Sequence, residues 1–442
     1  MMNEAGLEAG FGWQIVRVRA GGDLTDGDLQ EYLRQFIVYV TAHEVGHTLG
    51  LRHNFKASTI HAIGDLQNRE VTDADGVSGS VMDYNPTNLA REGEAQGEYY
   101  QTSLGAYDYW AIEYAYKPID ADDPESEMAR LSKIASRGTD PKLQYGTDED
   151  AQYGTRGIDP SAARWDLSDD PIAFYRDRVA ISRELWSKLE KEFEKKGERY
   201  QKLRRVFGQG FRPYWSGVGN VSRYVGGIYY HRDHVGDPKG RRPLIPVAPE
   251  RQREALAFIT ENIFSPEAFN WSPELLNKLA PERWQDFTWS QFSMRRIDYP
   301  IHELVLAIQR QPLYRFHDAL FLQRLQDLEL RYEGEEAFTM SELFAELRMA
   351  IWAELETGGN INSFRRNLQR EHLRHLVHMT VKLAPGAPED ARSLARAQLR
   401  QIGDLIDPIL DGPPLDTYSA AHLDEVRAQI RAALEASLQR QL

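Results

Sequence analysis

The chain contains no cysteine. No disulfide can cross-link it and no thiolate can hold a metal, so any transition-metal site must be assembled from imidazole and carboxylate groups. The absence does not fix a compartment. Long apolar runs are also missing. The run at residues 36–40 is far short of the roughly 20 residues that a membrane helix needs. Residues 1–10 are acidic and small, without the basic and apolar regions of a signal peptide. An excess of positive charge is lacking too. With 53 Lys and Arg against 67 Asp and Glu the formal net charge is -14, which argues against a protein that tracks a nucleic-acid phosphate backbone. What remains is an ordinary globular balance, 41% hydrophobic and 27% charged over 442 residues, enough for two or three domains.

Along the chain, residues 13–20 (WQIVRVRA) alternate apolar and polar side chains, which predicts a strand. Asp26 or Asp28 is placed to cap a helix over about 29–49, and Gly50 to close it in a left-handed turn. Residues 54–80 read as a long loop. Residues 104–116 read as an aromatic-rich helix that Pro118 stops. Residues 119–178 read as an irregular connecting segment, rich in Asp, Pro and Gly. Helical spacing follows over 180–206, 249–263, 300–332, 339–356, 361–383, 387–406 and 418–440, with an irregular stretch at 210–248.

The chemistry is concentrated in HEVGHTLGLRH, where His43, Glu44, His47, Gly50 and His53 form the pattern H-E-x-x-H-x-x-G-x-x-H. Two histidines four apart on a helix share one face and can grip one ion. Glu44 sits beside that face, close to the ion without being a ligand. Gly50 lets the chain turn back, so that His53 can supply a third nitrogen. Three protein ligands leave one zinc position open, the mark of a catalytic rather than a structural site. Glu44 is then the general base and later the acid. Five positions match together, and an accidental match in a chain this long is on the order of a few in 100,000. Ordinary surface or core histidines are therefore the weaker reading.

SVMDY follows about thirty residues after His53. Metzincins carry a methionine turn beneath the zinc histidines, downstream of the same motif, and Met82 is placed to be that soft apolar floor. Tyr84, two residues on, matches the tyrosine that steadies the oxyanion in astacin-like and serralysin-like metzincins; the plain alternative is a core tyrosine.

Taken together, TAHEVGHTLGLRHNFKAS, SVMDY, YDYWAIEYAY, YGTDEDA, DPSAARWDLSDDP and RYVGGIYYHRDHVGDPKGRRPLIPV resemble the bacterial Met-zincin family of zinc-dependent metallopeptidases, over most of the chain from about residue 10 onward. The resemblance implies an α+β fold: a metzincin-like zincin catalytic core followed by a mostly α-helical C-terminal region. It implies one catalytic Zn2+ held by His43, His47 and His53, Glu44 as base and Met82 as Met-turn. It also implies a protein or peptide substrate and export from the cytoplasm. A metzincin core sets several strands before its active-site helix, whereas one is read here. The expectation is thus a core whose N-terminal sheet is largely missing, with an N-terminal region lying outside this chain. The expected domains are 1–118 (catalytic core), 119–248 (connecting segment with one long helix) and 249–442 (helical region).

Other candidates weigh less. Asp73, Asp75 and Gly76 hint at a Ca2+ loop, but the twelve-residue pattern is absent and a solvated turn is favoured. His372, His375 and His378 read as a solvated or packed helix face. His231 and His234 read as loop residues. The aromatic cluster Tyr107, Tyr109, Trp110, Tyr114 and Tyr116 reads as core. Two other functions compete with peptide hydrolysis: a catalytically silent zinc-containing scaffold, against which Glu44 speaks, and hydrolysis of a non-protein amide.

Overall fold

The segment read as a strand at residues 13–20 is helical. It belongs to α1 (Met2–Ala20), and the reason lies in what surrounds it. Phe11, Ile15 and Val18 are buried on one side of this helix. Trp13 and Val16 pack on another side, in a cluster with Tyr32, Tyr39 and Tyr100. A helix buried on two faces loses its single apolar stripe, and its sequence then imitates the alternation of a strand.

The computed structural model describes residues 2–121, 123–281, 296–332 and 336–437. They form two compact units: Met1–Val221 with Ile228–Ile245 and Glu274–Ser290, and Ser222–Gly227 with Pro246–Pro273 and Gln291–Leu442. In the first unit α1 leads into α2 (Asp26–Thr48), and α3 is Arg69–Asp75. The expected loop at 54–80 therefore contains a short helix, together with two 3-10 turns. After α4 (Ala106–Tyr116) the supposedly irregular 119–178 contains α5 (Pro124–Ala135) and the start of α6 (Pro171–Phe193). Both helices begin with proline at their first turn, behind an aspartate cap. Aspartate followed by proline, frequent in irregular chain, is here a helix start signal. The single helix expected over 180–206 is broken around Gly197, whose φ is +91°, and α7 (Gln201–Gln209) follows. The stretch 210–248 is not irregular either: it holds α8 (Arg212–Val221) and strands β1 (Ile228–Tyr230) and β2 (Leu244–Pro246).

Those two strands make a two-stranded sheet, the one sheet among the described residues. The described chain is mostly helical with this small sheet, and no strand among the described residues precedes α2, which is compatible with the expected α+β core short of its N-terminal sheet and followed by a helical region. The core of this unit gathers on α6, where Phe174, Val179, Leu185 and Leu189 are buried, and α1, α7 and α8 pack against it. Buried ion pairs tie α1 in: Glu8 accepts from Arg178 at 2.8 Å and from Arg212 at 2.6 Å.

The helices of the second unit lie where the sequence places them, although the stretches expected over 300–332 and 339–356 are each divided into two. They are α9 (Pro249–Ile259), extended by one π-helical turn (Thr260–Phe264), then α11 (Ile301–Phe316), α12 (Ala319–Leu328), α13 (Met340–Ile351), α14 (Glu354–Thr357), α15 (Ser363–Val381), α16 (Glu389–Leu410) and α17 (Thr417–Glu435). The short α10 (Pro273–Asn277) falls almost wholly in the first unit. Residues 282–295, 333–335 and the last residues of the helix expected over 418–440 lie outside the described residues.

Candidate metal centre

The helix α2 starts on a reciprocal cap. Thr25 accepts from the Asp28 N–H at 3.3 Å, and the Asp28 carboxylate accepts from the Thr25 N–H at 2.9 Å. The cap residue is thus Thr25, where the sequence suggested Asp26 or Asp28, and Asp28 serves as its partner. At the other end Gly50 takes φ +84°, a left-handed conformation that glycine adopts without strain. The chain reverses there, and the Leu51 N–H returns to the Gly46 carbonyl at 3.0 Å. His53 is thereby brought back to the face that carries His43 and His47. One ring nitrogen from each of the three lies within 4.8 Å of the others.

The nitrogens that face one another are the three Nε2 atoms. Each Nδ1 meets an oxygen: His43 the Val81 carbonyl at 2.8 Å, His47 the Leu51 carbonyl at 2.9 Å, and His53 the Asp148 carboxylate at 2.9 Å. These acceptors fix Nδ1 as the protonated nitrogen and leave the Nε2 lone pairs to converge. The Nε2 of His43 is buried without a protein partner, a costly state unless a ligand occupies it. Protonation is disfavoured as well. Burial holds His43 down at about 4, against the opposing bond to Val81. Burial also lowers His53, although Asp148 pulls it upward. At Asp148 burial pushes the carboxyl up, but the His53 bond and the charges of His53, Arg164 and Arg52 outweigh it, so the net shift is downward. Three imidazoles that face one another, each with a hydrogen-bonded back nitrogen, fit a transition metal such as zinc.

Beneath them lies the SVMDY turn. Met82 is fully buried and reaches up to α2. A Cβ added at Gly46 would stand 2.2 Å from the Met82 sulfur, so Gly46 is what allows helix and turn to approach. The Asn54 N–H donates to the Met82 carbonyl at 3.0 Å, joining the turn to the chain beside His53. A buried carboxylate at the start of α4 sets the turn. Asp108 accepts from Ser80 Oγ at 2.6 Å, from the Val81 N–H at 3.0 Å and from the Gly105 N–H at 2.9 Å. It thus caps its own helix, and the Ser80 hydroxyl it holds accepts from the Met82 N–H at 2.9 Å, fixing the peptide whose carbonyl holds His43. Asp83, also in the turn, is buried with its carboxylate on the Ser58 and Tyr84 N–H groups, and burial and the charge of Asp166 push its carboxyl well above the usual range.

Tyr84 lies with its hydroxyl 2.9 Å from His53 Nε2, and its ring packs edge-on against Phe55 and tilted against Trp165. Burial pushes that phenol up to about 12. Glu44 is exposed on α2 next to His43. A phenol therefore meets one of the three histidines, and a carboxylate stands one residue along α2 from another.

Several residues singled out in the sequence do not join this centre. Asp75 pairs with Lys142 at 2.7 Å at the end of α3, and the described residues form no carboxylate group there that could hold an ion. His231 lines a cavity of about 400 Å³ together with Leu51, Lys56, Tyr107, Trp110 and Tyr145. Burial and the charges of Lys56 and Arg241 hold His231 at about 4. His234 also lines that cavity. The aromatic cluster of α4 is only partly core: Tyr107 is buried, whereas Tyr109, Tyr114 and Tyr116 are exposed. Alternating exposure around one helix explains why composition alone misjudged it. His372 and His375 pack inside the second unit. Sequence reasoning passed over Asp148, Asp108 and Gly46. Asp148 stands 95 positions from His53, and no periodicity reports a contact of that range.

Residues 25–359 match the sequence profile of a family described as Met-zincin. No curated protein and no solved structure matches the chain.

Proposed function

We propose that this chain, which belongs to the Met-zincin family, is a zinc-dependent endopeptidase. The observation that carries the reading is the convergence of the three histidine nitrogens, with every Nδ1 held by an oxygen. His43, His47 and His53 would hold the ion, over the Met82 floor. Bound zinc would supply Lewis acidity, polarising the scissile carbonyl and bringing the pKa of a water to roughly 7. Glu44 takes the proton from the attacking water. The new C–O bond forms, the C–N bond breaks, and the same proton passes to the leaving amine. Tyr84 donates its hydroxyl hydrogen to the developing oxyanion. The substrate is an extended peptide, and a secreted setting accompanies that role; cell fractionation tests the latter.

A silent zinc scaffold is the competing reading. It draws on the lack, among the described residues, of a strand beside α2 along which a peptide could align. Zinc content together with cleavage of a mixed peptide library separates the two. The peptidase reading expects about one zinc per chain in both wild type and Glu44→Gln, with cleavage by the wild type alone. Zinc in both without cleavage in either selects the scaffold, and a wild type without zinc removes both.

A further inference from the structure

Two stretches of the sequence, YGTDEDA and DPSAARWDLSDDP, have no part in the metal motif, yet the fold brings both to the third histidine. The first is docked on the chain beside His53. Phe55 N–H donates to the Gly146 carbonyl at 2.6 Å, Asn54 Nδ2 donates to the Gln144 carbonyl at 2.9 Å, and the Gly146 N–H donates to Asn54 Oδ1 at 3.1 Å. A tight turn follows, with the Asp150 N–H on the Thr147 carbonyl at 2.9 Å, and it presents Asp148 to His53 Nδ1 with both carboxylate oxygens, at 2.9 and 3.1 Å. The second stretch runs along the opposite side. Ala163 N–H donates to the Phe55 carbonyl at 3.2 Å, and Trp165 N–H to the Tyr84 carbonyl at 2.8 Å. Trp165 is held at φ +68°, a left-handed conformation that a bulky residue keeps only where its surroundings demand it.

Arg164, from the second stretch, reaches toward the first. Its guanidinium carbon stands 4.8 Å from the centre of the Phe55 ring, 5.0 Å from that of Tyr153 and 5.9 Å from that of Tyr84. One terminal nitrogen is 3.4 Å from Asp148. A planar cation is suited to this combination, since it can stack on rings and still meet a carboxylate edge-on.

We propose that Asp148 and Arg164 form a positioning pair for the metal centre, in which Asp148 orients the third ligand and Arg164 sets Asp148 while bracing the Tyr84 ring. The proposal rests on the zinc reading above. Histidine ligands depend on such acceptors to fix tautomer and ring orientation, and losing one weakens metal binding by about 10- to 100-fold. The Asp148 side chain is 43% exposed, so its substitution leaves the surrounding packing in place.

The test is zinc affinity of the full chain, measured by competition with a chromogenic chelator, for the wild type, Asp148→Asn, Arg164→Gln, Arg164→Lys and the double variant Asp148→Asn/Arg164→Gln. Melting temperatures of the metal-free proteins are recorded alongside. The expected result is zinc binding weakened about 10- to 100-fold in Asp148→Asn with an unchanged metal-free melting temperature. Arg164→Gln shows a smaller loss, Arg164→Lys recovers part of it, and the double variant is no weaker than Asp148→Asn, because one residue acts through the other. Unchanged zinc affinity in Asp148→Asn, or additive losses in the double variant, overturns the proposal while leaving the peptidase reading intact. A wild type that binds no zinc fails the peptidase reading itself.

Discussion

Gly46 sits where α2 meets the SVMDY turn, and its position shows how single atoms set this centre. A methyl group there collides with the buried Met82 sulfur, and neither the helix nor the turn can yield freely. Gly46→Ala should therefore destabilise the metal-free protein by about 1–3 kcal/mol, read as a lower urea midpoint with an unchanged slope. Gly50→Ala meets no atom within 4 Å but must take φ +84°, so its cost is backbone strain, about 1 kcal/mol. For Tyr84 the hydroxyl is the point at issue. Tyr84→Phe keeps the ring packed against Phe55 and Trp165, so zinc content should hold. If the hydroxyl stabilises the oxyanion, kcat should fall by about 100-fold with KM little changed. An unaltered kcat would reduce Tyr84 to a packing residue.

At the scale of elements, two helix caps of similar chemistry should have different consequences. The Thr25–Asp28 cap of α2 is exposed and lies at the far end of the helix from the histidines. Thr25→Ala should cost about 1 kcal/mol and leave zinc affinity untouched. The Asp108 cap of α4 is buried and also holds Ser80 and Val81. Asp108→Asn puts an amide donor against buried N–H groups, so about 2 kcal/mol should be lost. Zinc binding should weaken with it, since Val81 is the acceptor that orients His43. Equilibrium unfolding and chelator competition on the two variants separate a helix start that only stabilises from one that builds the site.

For the whole molecule the clearest consequence concerns pH, and it arises in the second unit. His317, His372, His375 and His422 are all held below the ordinary histidine range there, His372 and His422 at about 3 and His375 at about 4, first of all by burial. Their neutral forms are built in. His372 Nδ1 accepts from the Trp352 indole at 3.0 Å, and the His317 and His375 rings stack at 4.7 Å. Glu371 lies near His375, occupied by Arg310 and Arg374. Above about pH 6.5 these histidines are neutral in the folded and unfolded chain alike. Below it the unfolded chain binds protons that the folded chain refuses. Stability is thus full above 6.5 and falls as pH drops toward 4, by up to about 1.4 kcal/mol per pH unit for each group. Urea midpoints at pH 7.5 and 5.0 should show a large drop, and a smaller one in His375→Gln. Equal drops in the two proteins would assign the acid sensitivity to other groups.

What the sequence determined by itself was local. A helix carrying two histidines four apart, a glycine that turns the chain and a third histidine three residues on are short-range relations, and backbone geometry reads them directly. The same holds for the SVMDY turn and for most helices of the second unit, each with a clear apolar stripe. Tertiary structure decided the rest, because burial on two faces and contacts across many residues leave no period to read. The helix at 13–20 imitates a strand because α1 is covered on both sides. The proline-led starts of α5 and α6 resemble loop. Asp108 and Asp148 look like ordinary solvated carboxylates until the fold carries one beneath Val81 and the other behind His53. The ligands were legible because chemistry fixes their spacing along one helix and its turn; the groups that orient them were not, because only chain packing brings them near.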